Sequence, residues 1–177
     1  MNKILIIIAT VLLSSCNMMG NLILGTTFQK HDLYYTSEFD VCKEAYVQYV
    51  LNRQGPDGED ISYEEGQILY INLVLNVVFQ KVEYRWDYTE GTLTRTQSPK
   101  ETWETGKGDC EDFTLLFMNI VYETSLGMIE PNIILVQGIG HFMAEMNGRQ
   151  VETQAPYYRS MNEYVTSRMT MWEVFNY

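Results

Sequence analysis

Apolar residues recur at helical spacing through most of the chain and change to alternation near its end. Val41, Cys42, Ala45, Tyr46, Tyr49 and Val50 mark one helical face and place Cys42 inward. "EEGQILYINLVLNVVFQKV" is apolar nearly all round, broken by Asn72, Asn76 and Gln80, and Ser62-x-x-Glu65 caps its start. The pattern predicts a buried central helix. Ser98-Pro99-Lys100-Glu101 predicts a short helix that stops at Gly106. A further helix begins at about Cys110 behind Asp109 as N-cap, carries Phe113, Leu116, Phe117, Ile120 and Val121 on its core face, and ends near Gly127. "NRQGPDGED" and "WDYTEGTLTRTQ" read as loops.

After Pro131 the period becomes that of strands. "NIILVQG" is a buried strand, and "HFMAEM", Asn147-Gly148, "RQVETQ" is a hairpin, because Asn-Gly favours the two-residue turn. The tail "MTMWEVFNY" predicts a last strand. Helices first and antiparallel strands after them define an α+β class.

The N-terminus changes this picture. "MNKILIIIATVLLSSC" has one early cation, an apolar run from Ile4 to Leu13 and a small-residue ending, the pattern of a secretory signal too short to span a bilayer. Its Leu-Ser-Ser-Cys ending resembles a bacterial lipobox. That resemblance implies a signal peptide over 1–15, a lipidated Cys16, a tether over 16–35, and one domain over 36–177. The domain is then extracytoplasmic, anchored to a bacterial membrane through its lipid. The chain carries 12 basic against 23 acidic residues, a formal charge of -11. That balance lacks the basic patch a nucleic-acid partner requires. With Cys16 lipidated, Cys42 and Cys110 remain, too few for a disulfide-built scaffold.

Cys110 sits where chemistry is expected, behind "GKGD" and ahead of an apolar helix. A thiol of ordinary pKa about 8.5 becomes a nucleophile when ionised, and a helix N-terminus favours the thiolate. Asp109, Glu111 and Asp112 suit that helix end as capping residues but oppose a thiolate, so a histidine is needed. His31 lies in the tether, whereas His141 opens a strand. With Asn147-Gly148 as the turn, Met143 falls opposite Glu152 and His141 opposite Gln154. All four then share one face, with Glu152 the diagonal neighbour of His141.

"SPKETWETGKGDCEDFTLLF" followed by "GHFMAEMNGRQVETQAP" resembles the transglutaminase-like core of bacterial transglutaminase-like cysteine proteinases. "INLVLNVVF" is similar to that family's Asn-containing helix. The resemblance spans roughly residues 60 to 160 and rests mostly on "GKGDCEDF". It implies a papain-like fold, with Cys110 as nucleophile, His141 as base and Glu152 as orienting acid, acting on a protein or peptide substrate without a cofactor. The family has Asp where Glu152 stands and a longer hairpin, which leaves Gln154 and Asn162 as substitutes for the acid. Oxyanion donors are the Cys110 backbone N–H and one of Tyr84, Trp86 or Asn76. The Asp109, Glu111 and Asp112 cluster reads first as helix capping and second as a calcium site.

Hydrolysis makes such a protein a peptidase or amidase, and aminolysis makes it a crosslinking transglutaminase. From another class, the same fold serves a non-catalytic surface lipoprotein used for binding or assembly. A rival group of cell-wall peptidases also places cysteine after Asp, but follows it with Ser-Gly where this chain has Glu111-Asp112.

Overall fold

The computed structural model describes residues 30–85, 96–136, 141–159 and 161–176; the segment expected to be a signal, with Cys16, and most of the segment expected to be a loop from Trp86 lie outside the described residues. Helices α1 (Asp40–Ala45), α2 (Tyr63–Lys81), α3 (Pro99–Thr105) and α4 (Cys110–Thr124) precede most of the strands. The main sheet holds β4 (Asn132–Val136), β5 (His141–Met146), β6 (Arg149–Val151) and β7 (Val165–Met169) in the order β6-β5-β4-β7, all antiparallel. The α+β class is therefore observed.

The caps form as their residues require. Ser62 Oγ accepts from Glu65 N–H while the Glu65 carboxylate accepts from Ser62 N–H. Ser98 caps α3 in front of Pro99, and Gly106 closes that helix at φ 65°, a left-handed position that suits glycine.

The central helix is α4 and not α2. Within α4 all residues but Glu111, Tyr122 and Glu123 are buried. On α2, Asn76, Phe79 and Gln80 form an exposed stripe at three-to-four spacing, so two of its three polar breaks face outward, while Asn72 accepts from Tyr158 N–H at 2.6 Å. Phe142, Ala144, Met146 and Val151 meet the helices. Met143 lies in a smaller cluster with Ile134 and Val136, as strand alternation demands.

After α1 the chain passes into a π-helix, Tyr46–Leu51. Its backbone meets α2 at Gly66, where an added Cβ would lie 2.0 Å from the Tyr49 carbonyl oxygen. Gly66→Ala is therefore expected to destabilise the fold by about 3 kcal/mol, read as a lower urea midpoint at unchanged m-value.

Two expectations change. The segment expected to be a tether joins the fold from His31: β1 (His31–Asp32) pairs in parallel with β8 (Phe175–Asn176), and His31 is buried beside Thr96. Asn119 of α4 then clamps Tyr34, accepting from its N–H at 2.9 Å and donating to its carbonyl at 2.8 Å. The tail is not one strand. It forms a helical turn, α5 (Met171–Val174), before β8, because Thr170 and Glu173 make another capping box. Among the described residues no helix is long and apolar enough to cross a membrane.

Candidate active site

The first turn of α4 is held by a carboxylate latch. Asp112 is buried and accepts from Gln97 N–H at 2.7 Å, from Gln97 Nε2 at 2.9 Å and from Asp109 N–H at 3.3 Å. An added Cβ on Gly108 would sit 2.7 Å from Asp112 Cβ, so glycine is required for this approach. The short parallel pair β2 (Glu83–Tyr84) and β3 (Lys107–Gly108) fixes the other side, with Tyr84 opposite Gly108. Together these contacts place Cys110 at the first helical position.

The hairpin forms as the Asn-Gly signal predicts. Asn147 and Gly148 take φ 51° and 76°, and Met146 pairs with Arg149. The ladder stops at Val151, so the expected Met143–Glu152 pair is not among its rungs. Freed from the strand, Glu152 accepts from His141 Nε2 at 2.6 Å and from Gln154 N–H at 3.0 Å. Burial opposes ionisation of Glu152, but those bonds and the His141 charge hold its carboxyl below the ordinary range. With Nε2 engaged, Nδ1 is the ring nitrogen left to exchange a proton.

Thr114, one turn after Cys110, joins the three segments. Its hydroxyl donates to Cys110 O at 2.8 Å and lies 3.4 Å from the carbonyl of Phe142, which follows His141. It also lies 2.9 Å from Thr153 Oγ1, which follows Glu152. No local pattern in the sequence singles out Thr114 or Thr153. Their position directly after, or one turn from, a candidate residue is the sole hint.

The thiol is not the ion-paired thiolate that a helix N-terminus favours. Cys110 is 7% exposed and donates to Glu111 Oε2 at 3.1 Å. Burial pushes its pKa up, the Glu111 charge adds to this, and the backbone N–H of Phe142 pulls the other way. The hydrogen bond to Glu111 and the Asp109 charge raise it further, and the net shift is well upward. Both the shift and the bond to Glu111 favour the thiol over the thiolate. Cys42 is buried, unpaired with Cys110, and pushed up to about 12 by burial alone.

Of the oxyanion candidates, Tyr84 packs its ring 6.3 Å from that of Phe113, in the first turn of α4. Asn76 is exposed on α2, and Trp86 lies outside the described residues. The calcium grouping does not assemble as expected, because both Asp112 oxygens serve the latch. Asp109, Cys110 and Glu111 do place their ligand atoms within 4.8 Å of one another. A thiol with two carboxylates is not the oxygen-rich set that calcium takes.

No family model matches the chain, and no curated protein matches it. Among solved structures it is similar to a candidate cysteine protease from Cytophaga hutchinsonii, with 16% identity and a TM-score of 0.36. The match covers 78% of this chain and 43% of that one, so the chain spans under half of that protein's length. Overlap at that level assigns neither fold nor activity, and the chemistry rests on the geometry above.

Proposed function

We propose that the chain is a thiol acyl-transfer enzyme of papain-like, transglutaminase-like architecture that acts on amide bonds as a peptidase or amidase. Lipid on Cys16 would hold it at the extracytoplasmic face of a bacterial membrane. The observation that carries the reading is the 2.6 Å His141–Glu152 bond at a strand start, with the Cys110 sulfur against the next backbone N–H, that of Phe142.

In this mechanism Cys110 Sγ attacks the substrate carbonyl carbon as its proton passes to His141 Nδ1. Glu152 stabilises the imidazolium and fixes its orientation. The backbone N–H of Cys110 and the Tyr84 hydroxyl receive the oxyanion. Collapse breaks the C–N bond, and the leaving amine takes the proton from His141. Water then attacks the thioester, His141 accepts its proton and returns it to the sulfur, and a carboxylic acid leaves. An amine in place of water gives the transglutaminase outcome. Glu111 must release the thiol first, so entry of substrate and displacement of that carboxylate are coupled.

The test is p-nitrophenyl acetate, which asks only for acyl transfer. The wild-type domain is expected to release a burst of nitrophenol equal to the enzyme, followed by turnover. Cys110→Ala loses the burst, and His141→Ala lowers turnover by about a thousandfold or more. The second reading, a non-catalytic binding lipoprotein, is favoured by the protonated, Glu111-bonded thiol. It is the conclusion if no burst forms, or if His141→Ala leaves the rate unchanged.

A further inference from the structure

A cavity of about 710 Å³ opens beside the nucleophile helix, lined among others by Phe79, Lys81, Tyr84, Gly106, Phe113 and Gln154. Three of these belong to the site by sequence. Gly106 lies four residues before Cys110, across β3, Phe113 follows Cys110 by about one helical turn, and Gln154 lies two residues after Glu152. Tyr84 and Phe79 are 44% and 47% exposed, so the cavity has an unusually aromatic rim for solvent-facing positions.

Gln154 makes a contribution that the triad does not use. Its backbone N–H holds Glu152, yet its side-chain Nε2 is buried and has no hydrogen-bond partner. A buried amide donor without an acceptor is costly, and folded proteins leave few of them. Here the orphan belongs to a half-buried side chain that lines an open cavity, so a turn of its amide toward the cavity would present Nε2 to an incoming acceptor. An amide N–H takes a carbonyl oxygen, and the aromatic rim takes an apolar side chain. The two demands meet in a segment of polypeptide.

We infer that this cavity is a substrate subsite for an apolar residue of a polypeptide, with Gln154 Nε2 donating to a backbone carbonyl of that segment. The inference rests on the acyl-transfer reading and names its substrate class. It makes Gln154 a specificity residue, not the stand-in for the acid that its register allows, since Glu152 itself holds His141.

The experiment is a binding titration that needs no turnover. The full domain carrying Cys110→Ala is labelled with nitrogen-15 and titrated with the capped peptide acetyl-Ala-Phe-Ala amide. The Gln154 side-chain NH2 pair is assigned by its disappearance in Gln154→Leu. Saturable downfield movement of that pair is expected, with the peptide dissociation constant raised about threefold to tenfold by Gln154→Leu, the range of one neutral hydrogen bond. Gln154→Glu keeps the shape but presents a carboxylate to the carbonyl, and is expected to weaken binding at least as much. Because Nε2 has no partner to lose, Gln154→Leu is also expected to melt no lower than its parent. An unmoved NH2 pair, or equal affinity in both variants, overturns the subsite. So does failure of the peptide to bind at all. The nitrophenyl ester assay is scored separately, so loss of the subsite and loss of the enzyme reading give different results.

Discussion

Glu152→Gln is expected to lower kcat for p-nitrophenyl acetate by about a thousandfold, with little change in KM. The substitution preserves length and volume, so what changes is the sense of one hydrogen bond. Glu152 accepts from His141 Nε2 at 2.6 Å, which places the ring proton on Nε2 and leaves Nδ1 free to receive the thiol proton. A glutamine can present its NH2 to that nitrogen, favouring the tautomer with the proton on Nδ1, where it blocks the transfer. The comparable Asp-to-Asn change in a serine triad costs about 10⁴-fold in kcat. Glu152→Asp keeps the charge but shortens the reach, so an intermediate rate is expected. A Glu152→Gln enzyme running at the wild-type rate would remove Glu152 from the mechanism and return the acid role to an open question.

The same variant has a second readout. The folded-state pKa of Glu152 is depressed, so its contribution to stability is complete above the unfolded value of about 4.3 and is lost as pH falls through the lower folded value. Wild-type stability should therefore fall along that acid limb more steeply than that of Glu152→Gln, as measured by urea midpoints through the range. The His141 and Glu152 side chains are about one-fifth exposed, at 19% and 21%, so solvent screening limits the size of this effect.

How much of this was legible depends on how local each cause is. The capping boxes, the Gly106 stop, the start of α4 at Cys110 and the Asn-Gly turn are written in adjacent residues, and the sequence discloses them. The partnership of Glu152 with His141 was legible because a two-residue turn determines parity. Its exact form was not, because nothing local says that the ladder ends at Val151 and releases Glu152 to reach both His141 and Gln154. The Thr170–Glu173 box lay in plain view within the tail segment expected to be a strand. The docking of Tyr34 onto Asn119 joins residues 85 apart through a side chain, so no window of sequence reports it. The protonated state of Cys110 is of the same kind. The helix end argues for a thiolate, while burial and the placement of Glu111 argue against it, and their balance depends on packing.

The largest loss of stability near the site is expected from Asp112→Ala, about 3 to 5 kcal/mol, or a melting temperature lower by about 10 °C. Asp112 is 1% exposed and takes three hydrogen bonds, two from Gln97 and one from Asp109 N–H. Hydrogen bonds to a charged acceptor contribute about 1.5 to 3 kcal/mol each, and they are less than additive when one group makes them all. Alanine deletes the acceptor and leaves its donors facing a void. Asp112→Asn is expected to cost less, about 2 kcal/mol, since one oxygen still accepts while the new NH2 opposes the remaining donors. The pair of variants separates two roles. The latch ties Gln97, just before the N-cap of α3, to the first turn of α4, so loosening it should also free Cys110. Alkylation of Cys110 by iodoacetamide under native conditions should then rise in the order wild type, Asp112→Asn, Asp112→Ala, tracking the lost stability. A melting temperature unchanged in Asp112→Ala would mean that water replaces the carboxylate at no cost. Lost stability with unchanged alkylation would mean that the latch holds the fold without setting the sulfur.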